Sequence, residues 1–133
     1  ETLAAAEIDM QWHLLPAGAP LQNPDEFEKN ALAKAHLDIR AVPPRYRSSY
    51  FSHIWASGYS AGYYAYLWTQ MLDDDAYQWF DEHGGLTRAN GDRFRRMILS
   101  RGNTQDLAQI YRAWRSRAPS IDAMMKYRGL KPN

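Results

Sequence analysis

Apolar residues recur at three- and four-residue spacing through most of the chain, which is typical of amphipathic α-helices. A first helix is predicted over about 2–15 and should end at Pro16. Asn23 has the character of an N-cap and precedes a second predicted helix over about 24–37. The predicted apolar stripe of the first helix consists of Leu3, Ala6, Met10 and Leu14.

Pro43 and Pro44 predict an irregular stretch before the longest helix, because proline cannot continue a helix. That helix is expected over about 59–83, with Gly84 and Gly85 as its stop. Three later helices are expected, with the caps Thr87, Thr104 and Ser120. The sequence thus predicts an all-α fold of about five to six helices around one long central helix.

The amino-acid composition argues against several classes of function. The 133 residues include 16 Lys and Arg against 15 Asp and Glu, a balance that argues against a nucleic-acid surface. There is no cysteine, so disulfides and thiolate metal sites are excluded. No run of about 18 apolar residues indicates a membrane span, and a cytoplasmic location is expected. Because residue 1 is Glu rather than Met, we expect the chain to begin inside a longer polypeptide.

Motifs for common catalytic sites are absent from the sequence. No two of the four histidines have the i, i+4 spacing of an H-E-x-x-H zinc helix, and no G-x-S-x-G or phosphate-binding loop occurs. His13 and His36 are interpreted as surface or core residues, and His83 as a helix C-terminal cation. The acidic run 73–75 is interpreted as a solvated helix face, because the spaced oxygens and glycine of a calcium loop are missing.

An aromatic stretch, "FSHIWASGYSAGYYAYLW" at 51–68, stands out. Each helical residue advances about 100°, so a helix over this stretch would place Tyr59, Tyr63 and Tyr66 on one face. Gly58 and Gly62 leave room for a ligand and weaken the first turn, so "SHIWASG" is expected to be a loop. Spacing alone leaves two interpretations open: core rings with paired hydroxyls, or a working surface.

The segment "YFSHIWASGYSAGYYAYLWTQML", with "PPRYRSS" before it and "GGLTRANGDRFRRMILSRGNTQDL" after it, resembles the C-terminal region of the thimet oligopeptidase family of zinc metallopeptidases. The resemblance extends to "IDAMMKYRGLKPN", which is similar to a natural C-terminus. It implies a mostly helical protein divided by a deep channel, with zinc held by an H-E-x-x-H helix and a later glutamate. Both lie outside this sequence. Residues 1–133 are therefore expected to form a single helical unit, the C-terminal segment of the catalytic domain.

The resemblance also implies residue roles. His53, Tyr59 and Tyr66 match the catalytic residues that hydrogen-bond the peptide and the tetrahedral intermediate opposite zinc. Tyr63 and Gly58 complete the implied substrate-binding set. The most similar branch of the family releases dipeptides from the C-terminus of peptides. The implied partners are peptide substrates and the rest of the same domain, with no nucleic acid and no membrane. Zinc is expected in the full-length enzyme and not in this fragment, which alone should be inactive.

Two other classes of function remain open at this point. The chain could be a non-catalytic helical module that binds an extended peptide in a tyrosine-lined groove. Alternatively, it could be a structural helical cap whose rings are simply buried.

Overall fold

The computed structural model describes residues 1–130, which form helices joined by turns and contain no β-strand. The all-α prediction is confirmed, with seven α-helices in this range rather than five or six. Short 3₁₀ and π-helical turns lie at Ser48–Tyr50 and Arg95–Leu99. The end of the predicted natural C-terminus, 131–133, lies outside the described residues. The α-helices are α1 Thr2–His13, α2 Pro24–Lys34, α3 Ser52–Trp55, α4 Ala65–Glu82, α5 Arg88–Phe94, α6 Leu107–Arg115 and α7 Asp122–Tyr127.

The chain divides into two compact units, Glu1–Trp68 and Thr69–Asn133. Each has its own hydrophobic core. The single helical unit expected over 1–133 stays a prediction.

In the first unit, α1 buries a different face from the predicted one. Leu3 and Leu14 are exposed, so the predicted stripe was wrong at both positions. The helix instead turns its alanine-rich face inward, because that face also carries Asp9, whose carboxylate binds backbone N–H groups inside the unit. The core consists of Ala4, Ala5, Ala6, Ile8, Leu32, Phe51, Ile54 and Tyr63.

Helix α2 begins as predicted. The side chain of Asn23 accepts hydrogen bonds from the backbone N–H groups of Asp25 and Glu26, at 3.0 and 3.2 Å. Further along α2, the buried Glu28 accepts hydrogen bonds from both the backbone N–H and the hydroxyl of Ser48, at 2.8 and 3.0 Å. Glu28 also pairs with Arg47. These contacts fix the chain just before the aromatic stretch.

The long helix is shorter than predicted, because α4 begins at Ala65 rather than near residue 59. Residues 56–64 form turns instead. Ala61 has a left-handed backbone with φ 54°, which a continuous helix does not tolerate. In addition, the N–H of Tyr63 donates to Asp9 instead of to a carbonyl four residues back. A tertiary contact therefore overrides the local helical preference of this stretch.

The core of the second unit is aromatic. Trp79, Phe80 and Trp114 are buried, and Phe94, Met97, Ile98 and Tyr111 are among the residues that pack around them. The double-glycine stop of α4 is confirmed. Gly84 and Gly85 have φ values of 87° and 88°, and the N–H of Gly85 donates to the carbonyl of Phe80 at 2.7 Å. His83 lies just beyond the helix end and stacks on Trp79, with ring centroids 4.2 Å apart.

The later caps agree with the prediction in part. Thr87 caps α5 by accepting the N–H of Asn90 at 3.2 Å. The prediction for Thr104 was wrong, because its hydroxyl donates to a carbonyl and Asp106 caps α6 instead. Ser120 accepts the N–H of Asp122, the first residue of α7, at 3.1 Å, but the N-cap position itself is occupied by Ile121, one residue later than predicted.

The acidic run is only partly solvated. Asp75 is fully buried and contacts Arg117 at 2.5 Å, so the prediction of a solvated face was wrong there. Three consecutive helical residues span about 200° and cannot all point to water.

Asp75 is the centre of a buried polar group. The Tyr111 hydroxyl donates to Asp75 at 2.7 Å, and the pKa of Tyr111 is raised well above its ordinary value, mainly by burial and secondly by this hydrogen bond. Arg115 is also buried, and it pairs with Asp75 and Glu82.

Candidate substrate-binding site

The first unit brings together the residues that the sequence singled out. We define the aromatic cluster as His53, Tyr59, Tyr63 and Tyr66, with Tyr46 and Phe51 packed beside them. His53 comes from α3, Tyr59 and Tyr63 from the turns at 56–64, and Tyr66 from the first turn of α4. The cluster is therefore built by three short segments rather than by one helical stripe.

The rings of the aromatic cluster are in direct contact. Tyr59 and Tyr66 stack with centroids 5.3 Å apart and planes 21° from parallel. The centroid of Tyr63 lies 4.9 Å from that of Tyr66. The centroid of His53 lies 6.1, 5.7 and 6.5 Å from those of Tyr59, Tyr63 and Tyr66 respectively. The predicted proximity of the four side chains is thus observed, although the helical stripe that motivated it is not.

Exposure separates the tyrosines. Tyr59 and Tyr66 are 37% and 40% exposed, whereas Tyr63 is 3% exposed and belongs to the core. The two interpretations of the tyrosines therefore apply to different residues. Tyr63 is a core ring, and Tyr59 and Tyr66 present their rings at the surface of the first unit.

Two hydroxyls of the cluster, those of Tyr63 and Tyr66, have a raised pKa and remain protonated at neutral pH. A hydrogen bond to Tyr59, together with burial, raises the pKa of Tyr66 above its ordinary value of 10.0. Burial and the neighbouring Tyr46 raise the pKa of Tyr63, while the Arg45 guanidinium partly offsets this effect. These two hydroxyls can therefore act as hydrogen-bond donors. His53 adds a buried Nδ1 that has no hydrogen-bond partner among residues 1–130.

Asp9 was not anticipated from the sequence as part of this site. Its Oδ1 accepts the N–H of Ala61 at 2.9 Å, and its Oδ2 accepts the N–H of Tyr63 at 2.8 Å. His13 Nδ1 lies 2.9 Å from Asp9 Oδ1. The available signal was an acid placed directly between two apolar residues of α1, Ile8 and Met10, since a buried carboxylate requires partners.

The segment in front of the cluster is more ordered than expected. Ser52–Trp55 forms α3, so the prediction that "SHIWASG" is a loop was wrong for its first half. Trp55 is anchored there by an indole N–H that donates to the carbonyl of Ser48 at 2.8 Å. Gly58 lies in the following turn and is exposed, and a Cβ added to it would meet nothing within 4 Å. The space above Gly58 is therefore open.

Neither a metal centre nor a membrane span is found in the described part of the chain. No group of three or more His, Asp or Glu side chains within 1–130 is placed to hold a metal ion. These residues therefore do not form a complete zinc site by themselves. Across the same range, no helix combines the length and apolar character needed to cross a bilayer.

Comparison with known proteins identifies the family. Residues 1–130 match Peptidase family M3. The chain belongs to this family. The predicted family resemblance is confirmed, and it places the aromatic cluster within a segment of an M3 peptidase sequence.

Two of the relatives match this chain over nearly its whole length. It is 63% identical over 130 residues to a dipeptidyl carboxypeptidase of Salmonella typhimurium, which covers 98% of this chain and 19% of that protein. It is 60% identical, with the same coverage, to a dipeptidyl carboxypeptidase of Escherichia coli. An oligopeptidase A of Salmonella typhimurium is 44% identical over 81 residues, or 61% of this chain and 12% of that relative. The chain thus spans about a fifth of the length of the dipeptidyl carboxypeptidases.

Proposed function

We propose that this chain is the C-terminal part of a zinc-dependent peptidase that releases dipeptides from the C-terminus of peptides. Its contribution is a substrate-binding wall formed by the aromatic cluster. The observation that carries this proposal is the stacked, surface-exposed pair Tyr59 and Tyr66 beside His53. Membership of an M3 peptidase family and similarity to dipeptidyl carboxypeptidases support the reaction class.

The hydroxyls of Tyr59 and Tyr66 suit the chemistry of peptide hydrolysis. When a nucleophile attacks a peptide carbonyl, negative charge develops on the oxygen, and donors already in place stabilise it. The raised pKa of Tyr66 keeps its hydroxyl protonated at neutral pH, and the hydrogen bond between Tyr66 and Tyr59 restrains the orientation of both rings. We assign both residues to stabilisation of the developing oxyanion.

The remaining members of the predicted set hold the substrate. His53 carries a buried Nδ1 without a partner among the described residues. We assign this nitrogen the role of forming a hydrogen bond with the backbone of the bound peptide substrate. Gly58 borders open space through which a peptide can approach closely. Tyr63 is buried in the core, and its ring contacts that of Tyr66. We therefore assign Tyr63 to supporting the exposed rings rather than to presenting an open ring face to the substrate.

We propose that the full-length enzyme binds zinc, which would supply Lewis-acid chemistry and an activated water. Its ligands are expected upstream, in the rest of the catalytic domain; within the described residues, no group of three or more His, Asp or Glu side chains is placed to hold a metal ion. The chain alone is accordingly expected to be inactive. A cytoplasmic location for the whole enzyme stays a prediction.

The proposal is tested by Tyr66→Phe in the complete enzyme. Removing one donor from an oxyanion site costs about 3 kcal/mol in the barrier, so kcat should fall about 100-fold while KM changes little. Tyr64→Phe is the matched control, because Tyr64 is a neighbouring, exposed tyrosine outside the aromatic cluster. A kcat of wild-type size in Tyr66→Phe would exclude the assigned role.

A further inference from the structure

His13, the last residue of α1, donates a hydrogen bond to the buried side chain of Asp9. Its Nδ1 lies 2.9 Å from Oδ1 of Asp9 and 2.8 Å from the backbone carbonyl oxygen of the same residue. Both of these oxygens are acceptors, so Nδ1 carries a proton in the neutral ring as well as in the imidazolium. The contact is therefore a hydrogen bond from His13 to Asp9 in either charge state of the ring.

This hydrogen bond fixes a carboxylate that has no contact with solvent. Asp9 is fully buried, and its other donors are the backbone N–H groups of Ala61 and Tyr63, at 2.9 and 2.8 Å. A buried carboxylate is held in one orientation only when several donors compensate its charge. His13 is the donor that comes from α1 itself, four residues further along the same helix face. It therefore holds the carboxylate in place relative to the helix that carries it.

The turn bound by Asp9 is linked by hydrogen bonds to both exposed tyrosines of the aromatic cluster. The N–H of Gly62, between the two residues that Asp9 binds, donates to the carbonyl of Tyr59 at 2.8 Å. The carbonyl of Tyr63 accepts the N–H of Tyr66 at 3.2 Å. A shift of Asp9 would therefore displace the backbone of Tyr59 and Tyr66 together.

The ring of His13 also contacts the segment that carries His53. Its centroid lies 5.7 Å from that of Trp55, the last residue of α3. Trp55 is held in turn by its indole N–H, which donates to the carbonyl of Ser48 at 2.8 Å. His13 thus contacts both the acid that holds the turn and the helix that supplies the histidine of the cluster.

We propose that His13 is a positioning residue for the aromatic cluster. Its Nδ1–H holds the carboxylate of Asp9, Asp9 holds the backbone at Ala61 and Tyr63, and this backbone sets the places of Tyr59 and Tyr66. The effect on catalysis rests on the proposed function of these tyrosines. The restraint on the turn does not depend on that function.

Two substitutions separate the hydrogen bond of His13 from its ring. His13→Phe keeps an aromatic ring beside Trp55 and removes the donor. His13→Asn removes the ring and keeps an N–H donor attached to Cγ, where Nδ1 is attached in histidine. If the hydrogen bond is what matters, asparagine should restore what phenylalanine loses.

Hydrogen exchange of the segment around residues 61–63 tests the restraint without turnover. In the complete protein, the amides of Ala61 and Tyr63 should exchange about 10- to 100-fold faster in His13→Phe than in the wild type. His13→Asn should be within about 3-fold of the wild type, because its donor is retained. His36→Asn is the matched control, since His36 is an exposed histidine of the same unit and its φ of 56° suits asparagine.

Turnover of the complete enzyme tests the positioning of the tyrosines. His13→Phe should lower kcat about 10- to 100-fold and change KM little, because a small displacement of a stabilising group acts mainly on the transition state. His13→Asn should recover most of this loss. A role in packing alone predicts the opposite order, since asparagine lacks the ring. If His13→Phe does not fold, His13→Ala replaces it, and its comparison with His13→Asn again isolates the donor.

The inference is overturned if the amides of Ala61 and Tyr63 keep wild-type protection in the variant without the donor, or if His13→Asn loses as much protection as that variant. A normal kcat in His13→Phe beside an impaired Tyr66→Phe would also overturn it, because the tyrosines would then act without the restraint. Faster exchange with a normal kcat in both variants would support the restraint and reject the proposed role of Tyr66. A lower kcat in both, with rescue by asparagine, would support both proposals.

Discussion

Asp9 binds the backbone N–H of Tyr63 at 2.8 Å, across 54 residues of sequence. The same carboxylate binds the N–H of Ala61, so one side chain of α1 fixes both sides of the turn at 61–63. That turn sets the directions in which Tyr59 and Tyr63 leave the backbone. The geometry of the aromatic cluster therefore depends on a residue that carries no chemistry of its own there.

Replacing Asp9 should loosen the cluster. Asp9→Ala leaves two backbone donors without their acceptor, which costs roughly 2–4 kcal/mol, whereas Asp9→Asn keeps one acceptor oxygen and should cost less. The measurement is hydrogen exchange of the Ala61 and Tyr63 amides in the complete protein. Asp38→Asn, at an exposed position of the same unit, should leave both amides protected. Unchanged protection in Asp9→Ala would show that other contacts hold the turn.

Ala61 offers a stabilising substitution. Its φ of 54° lies in the left-handed region, which costs an L-residue roughly 1–2 kcal/mol and costs glycine little. Ala61→Gly should therefore raise the free energy of unfolding by up to about 1 kcal/mol, measured by urea denaturation. Ala76→Gly, in the middle of α4, should lower it by at least about 0.5–1 kcal/mol. A loss of stability in Ala61→Gly would contradict the assigned backbone conformation.

Asp75 should dominate the stability of the second unit. Its removal in Asp75→Ala deprives the buried Arg115 and the hydroxyl of Tyr111 of a partner, at a cost of about 3 kcal/mol. Asp73→Asn changes an exposed acid of the same run and should cost less than about 0.5 kcal/mol. Thermal unfolding of both variants provides the comparison. Equal effects would restore the interpretation of the whole run as a solvated face.

Glu82 should make the stability depend on pH. Two hydrogen bonds from Arg115, at 2.7 and 3.1 Å, hold the pKa of Glu82 below its ordinary value. The carboxylate is thus favoured in the folded state. Its contribution is present above the unfolded pKa, about 4.3, and is lost as the pH falls through the lower folded value.

Because the side chain of Glu82 is 40% exposed, its contribution should not exceed about 1 kcal/mol. Unfolding of the wild type and Glu82→Gln is compared at pH 7 and at successively lower pH. The difference in stability should narrow in acid. Asp81→Asn, an exposed neighbour, should show no such pH-dependent difference. A difference that persists in acid would assign the effect to packing rather than charge.

The sequence by itself determined the features that depend on local chemistry. Asn23 and Thr87 cap helices because their side chains reach N–H groups two or three residues away. Gly84 and Gly85 end α4 because they adopt positive φ without strain. The family could likewise be identified from the aromatic segment, because a match to a long and specific sequence pattern requires no knowledge of the conformation of that segment.

Only the tertiary structure decided how distant residues meet. Helical periodicity placed Tyr59, Tyr63 and Tyr66 on one stripe, yet the rings meet through a turn because Asp9, 52 residues before Ala61, takes the N–H groups there. Periodicity likewise could not show that Asp75 is buried, since Arg115 and Arg117 come from a segment about 40 residues later. Hydrogen bonds and ion pairs between remote segments leave no periodic signal in the sequence, and here they determine which tyrosines are exposed.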